Sequence, residues 1–145
     1  MPTILYAEDD RDCRELFAFM LRQNDYLVYE ATNGAQAVQI ARDEAIDLVI
    51  LDVRMPMMTG YDAARMISKE SPHIPIMFLS AKGLQREVQT AFECGPTVVD
   101  YLVKPVTPDQ LVYRVNQILE TAHVLGLEAV RRESLAREEM VHVLR

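Results

Sequence analysis

The chain has 145 residues, 50% hydrophobic and 26% charged, which suits one globular domain with a real core and a little more. Its net charge of −7 argues against nonspecific binding to nucleic acid or to an anionic membrane. Cys13 and Cys94 lack a metal-ligand spacing, no stretch has the length of a membrane span, and Met1-Pro2-Thr3 runs straight into a short strand, so the expectation is a soluble cytoplasmic protein with two free thiols.

Thr3 to Ala7 reads as a first buried strand that ends on acid, Glu8-Asp9-Asp10. The acids also suit a helix start, where negative charge is favoured, and the periodicity predicts a helix from about Arg11 to Asn24 with Leu16, Phe17, Met20 and Leu21 inward. Cys13 falls on the same side, as core packing. A second strand follows over Tyr26 to Ala31. Asn33-Gly34 reads as a turn, and Ala35 to Glu44 as an amphipathic helix carrying Ala37, Val38, Ile40 and Ala41. Leu48 to Leu51 is apolar at every position, the pattern of a strand buried on both faces, and it ends abruptly at Asp52. A loop through Met55-Pro56 closes at Gly60, and Tyr61 to Lys69 reads as a helix with Ala64 and Ile67 inward, stopped by Ser71-Pro72. Ile74 to Leu79 is a fourth strand, ending on Ser80. Leu84 to Glu93 is a helix stopped by Gly95-Pro96. Val98 to Val103 is a fifth strand, ending on Lys104-Pro105, and a fifth helix opens with Thr107 as N-cap and Pro108 at its first position.

Strand and helix thus alternate, which implies an α/β domain with a parallel sheet covered on both sides. In a doubly wound sheet of order 2-1-3-4-5, strands one and three are neighbours at the switch point, and ligands bind beyond the carboxyl ends of the strands. Glu8 and Asp9 would then meet Asp52, with Ser80 and Lys104 arriving from the other side. Taken alone, Asp52 reads equally well as a turn cap, and each of the other residues has a plain reading too. Their joint placement at four strand ends is what points to chemistry. Clustered carboxylates repel and shift one another's pKa unless a cation sits between them, and an oxygen-only acidic pocket suits Mg²⁺. Asp52 could be a nucleophile that accepts a phosphoryl group, with the metal and Lys104 neutralising charge and Ser80 bonding one phosphoryl oxygen.

Those motifs together resemble the response-regulator receiver domain of two-component signalling. They are Glu8-Asp9-Asp10, the D-x-x-M-P-x-M-x-G run from Asp52 to Gly60, the Ser80-Ala81 step, and Tyr101-Leu102-Val103-Lys104-Pro105. The resemblance covers about residues 1–120 and implies a flavodoxin-like (βα)5 fold. It implies Asp52 as phosphoacceptor for a phosphohistidine on a sensor histidine kinase or phosphotransfer protein, so that the chain catalyses only its own phosphorylation and dephosphorylation. It also implies Mg²⁺ organised by Glu8, Asp9, Asp52 and the Arg54 carbonyl, phosphoryl contacts from Ser80, Ala81 and Lys104, a switch at Ser80 and Tyr101, and a cis Lys104-Pro105 bond. Two departures stand out. Glu8 stands where many receivers have Asp, and Gly95-Pro96-Thr97-Val98-Val99-Asp100-Tyr101 is longer than the usual Gly-Ala-x-Asp-Tyr by about two residues. Arg54 and Lys82 flank the pocket and are expected to tune phosphoryl lifetime.

Residues 121–145 form a helical extension, broken at Gly126, with Leu127, Val130, Ser134, Val141 and Leu144 as an imperfect heptad-like stripe and Leu135 beside it. One reading is a solvated helix packed back on the domain; another is a signalling helix that makes a homodimer. The run from Arg137 to Arg145 also resembles the approach to the phosphoacceptor His of a histidine kinase, which would make the chain a receiver from a larger kinase. His142 is not expected to be a phosphoacceptor, because no acid follows it; His73 and His123 read as surface residues. With so little chain after the fifth helix, no DNA-binding unit is expected within these residues. Two other functions compete. A Mg²⁺-dependent aspartyl-phosphate phosphatase would carry a second acid where Arg54 stands. A degenerate receiver acting only as an interaction module would not need the complete set Asp9, Asp52, Ser80 and Lys104.

Overall fold

The computed structural model describes the backbone of residues 1–144 and the side chains of residues 1–139. Five strands, β1 (Thr3–Ala7), β2 (Leu27–Ala31), β3 (Leu48–Leu51), β4 (Ile76–Ser80) and β5 (Val98–Val103), form one parallel sheet of order β2-β1-β3-β4-β5. The crossovers are α1 (Arg11–Gln23), α2 (Gly34–Asp43), α3 (Gly60–Glu70) and α4 (Gln85–Glu93), followed by α5 (Pro108–Leu125) and α6 (Leu127–Leu144). The central strands β1, β3 and β4 are buried at every position, as the unbroken apolar runs require. Alternate side chains feed two cores. One lies against α2, α3 and α4 and holds Val49, Leu51 and Phe78; the other lies against α1 and α5 and holds Ile4, Tyr6, Ile50 and Leu111.

The helix starts follow local chemistry. Asp10 caps α1 by accepting from the Cys13 amide at 2.9 Å, Asn33 caps α2 by accepting from Gln36, and Thr59 caps α3 by accepting from Asp62. Thr107 and Gln110 form a capping box with Pro108 at the first helical position. Asn33-Gly34, expected as a turn, is therefore the start of α2. The inward face of α1 is also rotated from expectation. Phe17, Ala18 and Leu21 are buried, whereas Leu16 is 51% exposed, so the buried stripe is centred on Phe17, Ala18 and Leu21. Strands two and four start later than their apolar runs suggest. Tyr26 and Ile74 are buried without being in strands, since each closes a turn through its amide to Leu21 and Ser71 respectively, and Pro75 has no N–H to pair.

The unusual sequence before β5 is partly absorbed inside the strand. Ile76 pairs with Val98 but Met77 pairs with Asp100, so Val99 is an extra, bulged residue. The expected loop insertion is to that extent a strand irregularity, and it presents Asp100 to the helices beyond the sheet edge.

α5 continues past Glu120 to Leu125, then Gly126 turns the chain at φ +88°. α6 comes back over the outer edge of the sheet and packs on β5 and α5. Val130 is 3% exposed and Ser134 1%, while Leu127 and Leu135 rest against the two cores. The front half of the stripe expected to make a dimer is thus spent on the chain's own domain; the side chains of Val141, His142 and Leu144 lie outside the described residues. Among the described residues, no helix is long and apolar enough to cross a membrane. Cys13 and Cys94 are free, and burial raises both thiol pKa values.

Candidate functional site

The carboxyl ends of four strands meet at one rim. β1 delivers Glu8 and Asp9, β3 delivers Asp52, β4 delivers Ser80, and β5 delivers Lys104. Arg14 of α1 secures the first turn by donating to the Glu8 carbonyl at 2.9 Å. Gly60 lets the loop after β3 fold against its own strand end: its amide donates to the Val53 carbonyl at 2.8 Å, and a Cβ there would stand 1.9 Å from the Asp52 carbonyl oxygen. Met57, at the exposed turn of that loop, has φ +69°.

One ligand oxygen each from Glu8, Asp9 and Asp52 lie within 4.8 Å of one another. Lys104 Nζ donates to Glu8 Oε1 at 2.7 Å and to Asp52 Oδ2 at 3.2 Å. The second Glu8 oxygen, Oε2, is buried without a hydrogen-bond partner, an arrangement that costs free energy until something positive reaches it. Arg54 and Lys82 stand on the rim of an open hollow of about 400 Å³ that the three acids, Ser80 and Ala81 also line. The structure therefore brings together Glu8, Asp9, Asp52, Ser80 and Lys104, and the Lys104-Pro105 peptide is cis.

The charges are unevenly shared. Burial pushes the Glu8 carboxyl up to about 7, the neighbouring Asp52 carboxylate adds to that, and Lys104 opposes both. For Asp52, burial also works upward, but the neighbouring Glu8, the Lys104 charge and Ser80 together outweigh it and hold the carboxyl below its ordinary range. Burial works to lower Lys104, and the two carboxylates more than offset it, so the ammonium is retained. Glu8 and Asp52 share the lysine, and of the two Asp52 is the one held toward its ionised form. A hard divalent cation fits this donor set, because all the ligands are oxygens and one of them is an orphan. It would also give the buried Glu8 Oε2 a partner.

Tyr101 lies 3% exposed behind this rim. Its ring stacks on Phe78 with centroids 5.7 Å apart, and its hydroxyl donates to the Lys82 carbonyl in the loop that follows Ser80. The Lys82 amide in turn donates to Ser80 Oγ at 3.2 Å. Sequence reasoning named Tyr101 and Ser80 but not this connection, which runs through a backbone carbonyl and leaves no mark in residue type. Nor did it find Asp100, whose buried carboxylate is bound by Arg114 and, at 3.4 Å, by Arg137. An acid inside an apolar strand run was the available signal.

The sequence profile of the response regulator receiver domain matches residues 4–116. The chain is 35% identical to the transcriptional regulatory protein ResD of Bacillus subtilis over 82% of this chain and 48% of that one. Its fold is similar to the receiver domain of HemR from Leptospira biflexa, with a TM-score of 0.75 and 33% identity over 82% of this chain and 94% of that one. It is likewise similar to the response regulator TrrA of Thermotoga maritima, solved with Mg²⁺ and BeF, with a TM-score of 0.73 and 30% identity over 81% and 99% of the two chains. The chain spans about half the length of the curated relatives it matches. Those relatives are named as transcriptional regulators and not as histidine kinases, so the comparison gives the kinase expectation for the tail no support. The acidic rim, the sheet order and the profile match agree: this chain belongs to the response regulator receiver domain family.

Proposed function

We propose that the chain is a cytoplasmic phosphoacceptor switch in which Asp52 receives a phosphoryl group from a phosphohistidine on a sensor histidine kinase or phosphotransfer protein. The observation that carries this reading is the cluster of Glu8, Asp9 and Asp52 within 4.8 Å, with Lys104 Nζ beside Asp52. An ionised Asp52 at neutral pH is a competent nucleophile. One of its carboxylate oxygens bonds to phosphorus as the P–N bond to the imidazole breaks, and the electron pair of that bond stays on the imidazole nitrogen. Lys104 would turn from Asp52 toward the oxygens of the arriving group, where its charge is worth more than in water. Ser80, buried at the end of β4, would donate its hydroxyl to one such oxygen, and the Ala81 amide to another. Glu8, Asp9, Asp52 and the Arg54 carbonyl would hold Mg²⁺, which when bound neutralises the charge on the transferring phosphoryl group. The Mg²⁺–BeF complex of TrrA supports this assignment. Tyr101, joined to Ser80 through Lys82, would report the occupancy of the site to α4 and β5.

Acetyl phosphate with Mg²⁺ should add one phosphoryl group by intact mass, and Asp52→Asn should abolish the addition. A chain that stays unmodified under those conditions would leave an interaction module as the better reading.

A further inference from the structure

Phosphoryl chemistry at the rim has no use for α6, yet α6 is tied into the domain by a specific set of bonds. Arg131 reaches under the end of α4. Its Nη1 donates to the carbonyls of Gly95 and Val98, both at 2.8 Å, and its Nη2 to that of Phe92 at 2.9 Å, while the guanidinium lies 5.4 Å from the centre of the Phe92 ring. Val98 is the first residue of the edge strand and Phe92 belongs to the last turn of α4, so a single side chain joins the two across the loop between them. A turn farther along, Arg137 and Arg114 grip Asp100 from α6 and α5, and Ser134 accepts from both at 3.0 and 3.2 Å. Asp100 precedes Tyr101 and accepts from the Tyr101 amide at 2.9 Å.

The segment held in this way has Tyr101's seat at its other end. The Lys82 carbonyl that receives the Tyr101 hydroxyl lies in the loop leading into α4. α4 opens at Leu84 with no side-chain cap, so its near end is weakly fixed by its own sequence, whereas its far end is fixed by Arg131. We infer that α6 is an intramolecular strap: by tying the end of α4 to the edge of β5, it holds Tyr101 in its inward seat on the Lys82 carbonyl. Docked α6 and inward Tyr101 occur together here, so whatever favours one favours the other, reciprocally. The extension of this coupling to phosphorylation rests on Asp52 being the phosphoacceptor.

Hydrogen exchange on the full chain tests the strap without any phosphoryl chemistry. Arg131→Ala should raise exchange across α6 by a factor on the order of ten, given three lost charge-assisted bonds, with a smaller rise in residues 81–84. Arg132→Ala, on the solvent side of the same helix, should leave both segments as in the wild type. Arg131→Lys keeps the charge but serves fewer carbonyls and should fall between; it stands in if the alanine variant fails to fold. An α6 that stays protected in Arg131→Ala, or one that loosens while residues 81–84 do not, would overturn the inference. In a second arm, Mg²⁺ with beryllofluoride should slow exchange in α6 of the wild type and not of Asp52→Asn. A bound fluoride signal by ¹⁹F NMR with α6 exchange unchanged or faster would also overturn it. No bound fluoride signal would count against Asp52 as phosphoacceptor and leave the first arm to decide the strap.

Discussion

The rim of the sheet and its outer edge are made of similar parts and left in opposite electrical states. At the rim, Glu8 and Asp52 share one ammonium with Asp9 beside them, and a buried oxygen of Glu8 has no partner. At the edge, Asp100 is answered on both oxygens, by Arg114 on one and by Arg137 and the Tyr101 amide on the other. A cluster with acid in excess stores free energy that a cation can release; one whose acid has both oxygens partnered holds elements together instead. The difference teaches that buried charge alone does not mark a ligand site. What marks it is the mismatch between the charges present and the partners supplied.

The comparison can be broken hardest at Gly60. A Cβ there would sit 1.9 Å from the Asp52 carbonyl oxygen, and a backbone atom cannot move aside as a side chain would. Gly60→Ala should therefore cost on the order of 4 kcal/mol, above the usual range for overpacking, with a large drop in urea midpoint. Asp100→Ala is the matching test at the edge. It leaves Arg114, largely buried at 15% side-chain exposure, without its counter-charge and should cost about 3 kcal/mol, the low end for breaking a buried pair because Arg137 is half in water. If the edge is purely structural, Asp100→Ala should shift the urea midpoint yet still accept a phosphoryl group wherever it is folded.

The rim was far more legible in the sequence than the edge. Strands that stop abruptly at Asp52, Ser80 and Lys104 announce their ends, and the parallel order forced by helical crossovers brings those ends together. The edge gave no such notice. Arg131 and Arg132 are adjacent residues of one type, and which of them faces the domain depends on the angle at which α6 returns after Gly126, a property of tertiary packing. The same limit explains Leu16, whose apolar side chain fits a helical stripe but points outward once α1 settles on Phe17, Ala18 and Leu21. The longer run before β5 was visible as an anomaly. Its consequence, a bulge at Val99 that offers Asp100 to two arginines, required the register with β4.

The excess of acid at the rim should also show as a pH dependence. Without a divalent cation, Glu8 in the folded chain titrates near 7 against an ordinary 4.5, chiefly through burial. A folded pKa above the unfolded one means the folded state holds the proton more tightly. Glu8's contribution is fully present below about pH 4.5 and is lost as the pH rises through about 7. Asp52 runs the other way: its folded pKa is lowered, so its contribution is present above its unfolded value and is lost as the pH falls. Metal-free chain should therefore lose stability between pH 4.5 and 7 through Glu8, and Glu8→Gln should flatten that part of the urea-midpoint profile. Mg²⁺ should flatten it too in the wild type, since the cation takes the place of the proton. A slope that survives both changes would belong to another group.

The smallest expected effect sharpens the comparison within α6 itself. Arg132 pairs with Glu128 at 3.3 Å, but its side chain is 73% exposed and that of Glu128 88%. In water the Coulomb gain of such a pair is nearly cancelled by hydration and by the entropy of holding two long side chains together, so Arg132→Ala should stay within about 0.5 kcal/mol of the wild type by urea unfolding. Arg131, one residue earlier, carries the same charge into a place where it donates to three backbone carbonyls, and burial already lowers its pKa. The two substitutions remove the same atoms from neighbouring positions. Any difference between them measures what the strap contributes beyond helix propensity and net charge, because both of those change equally. Equal, small effects from the two would mean that α6 lies on the β5 edge without holding it.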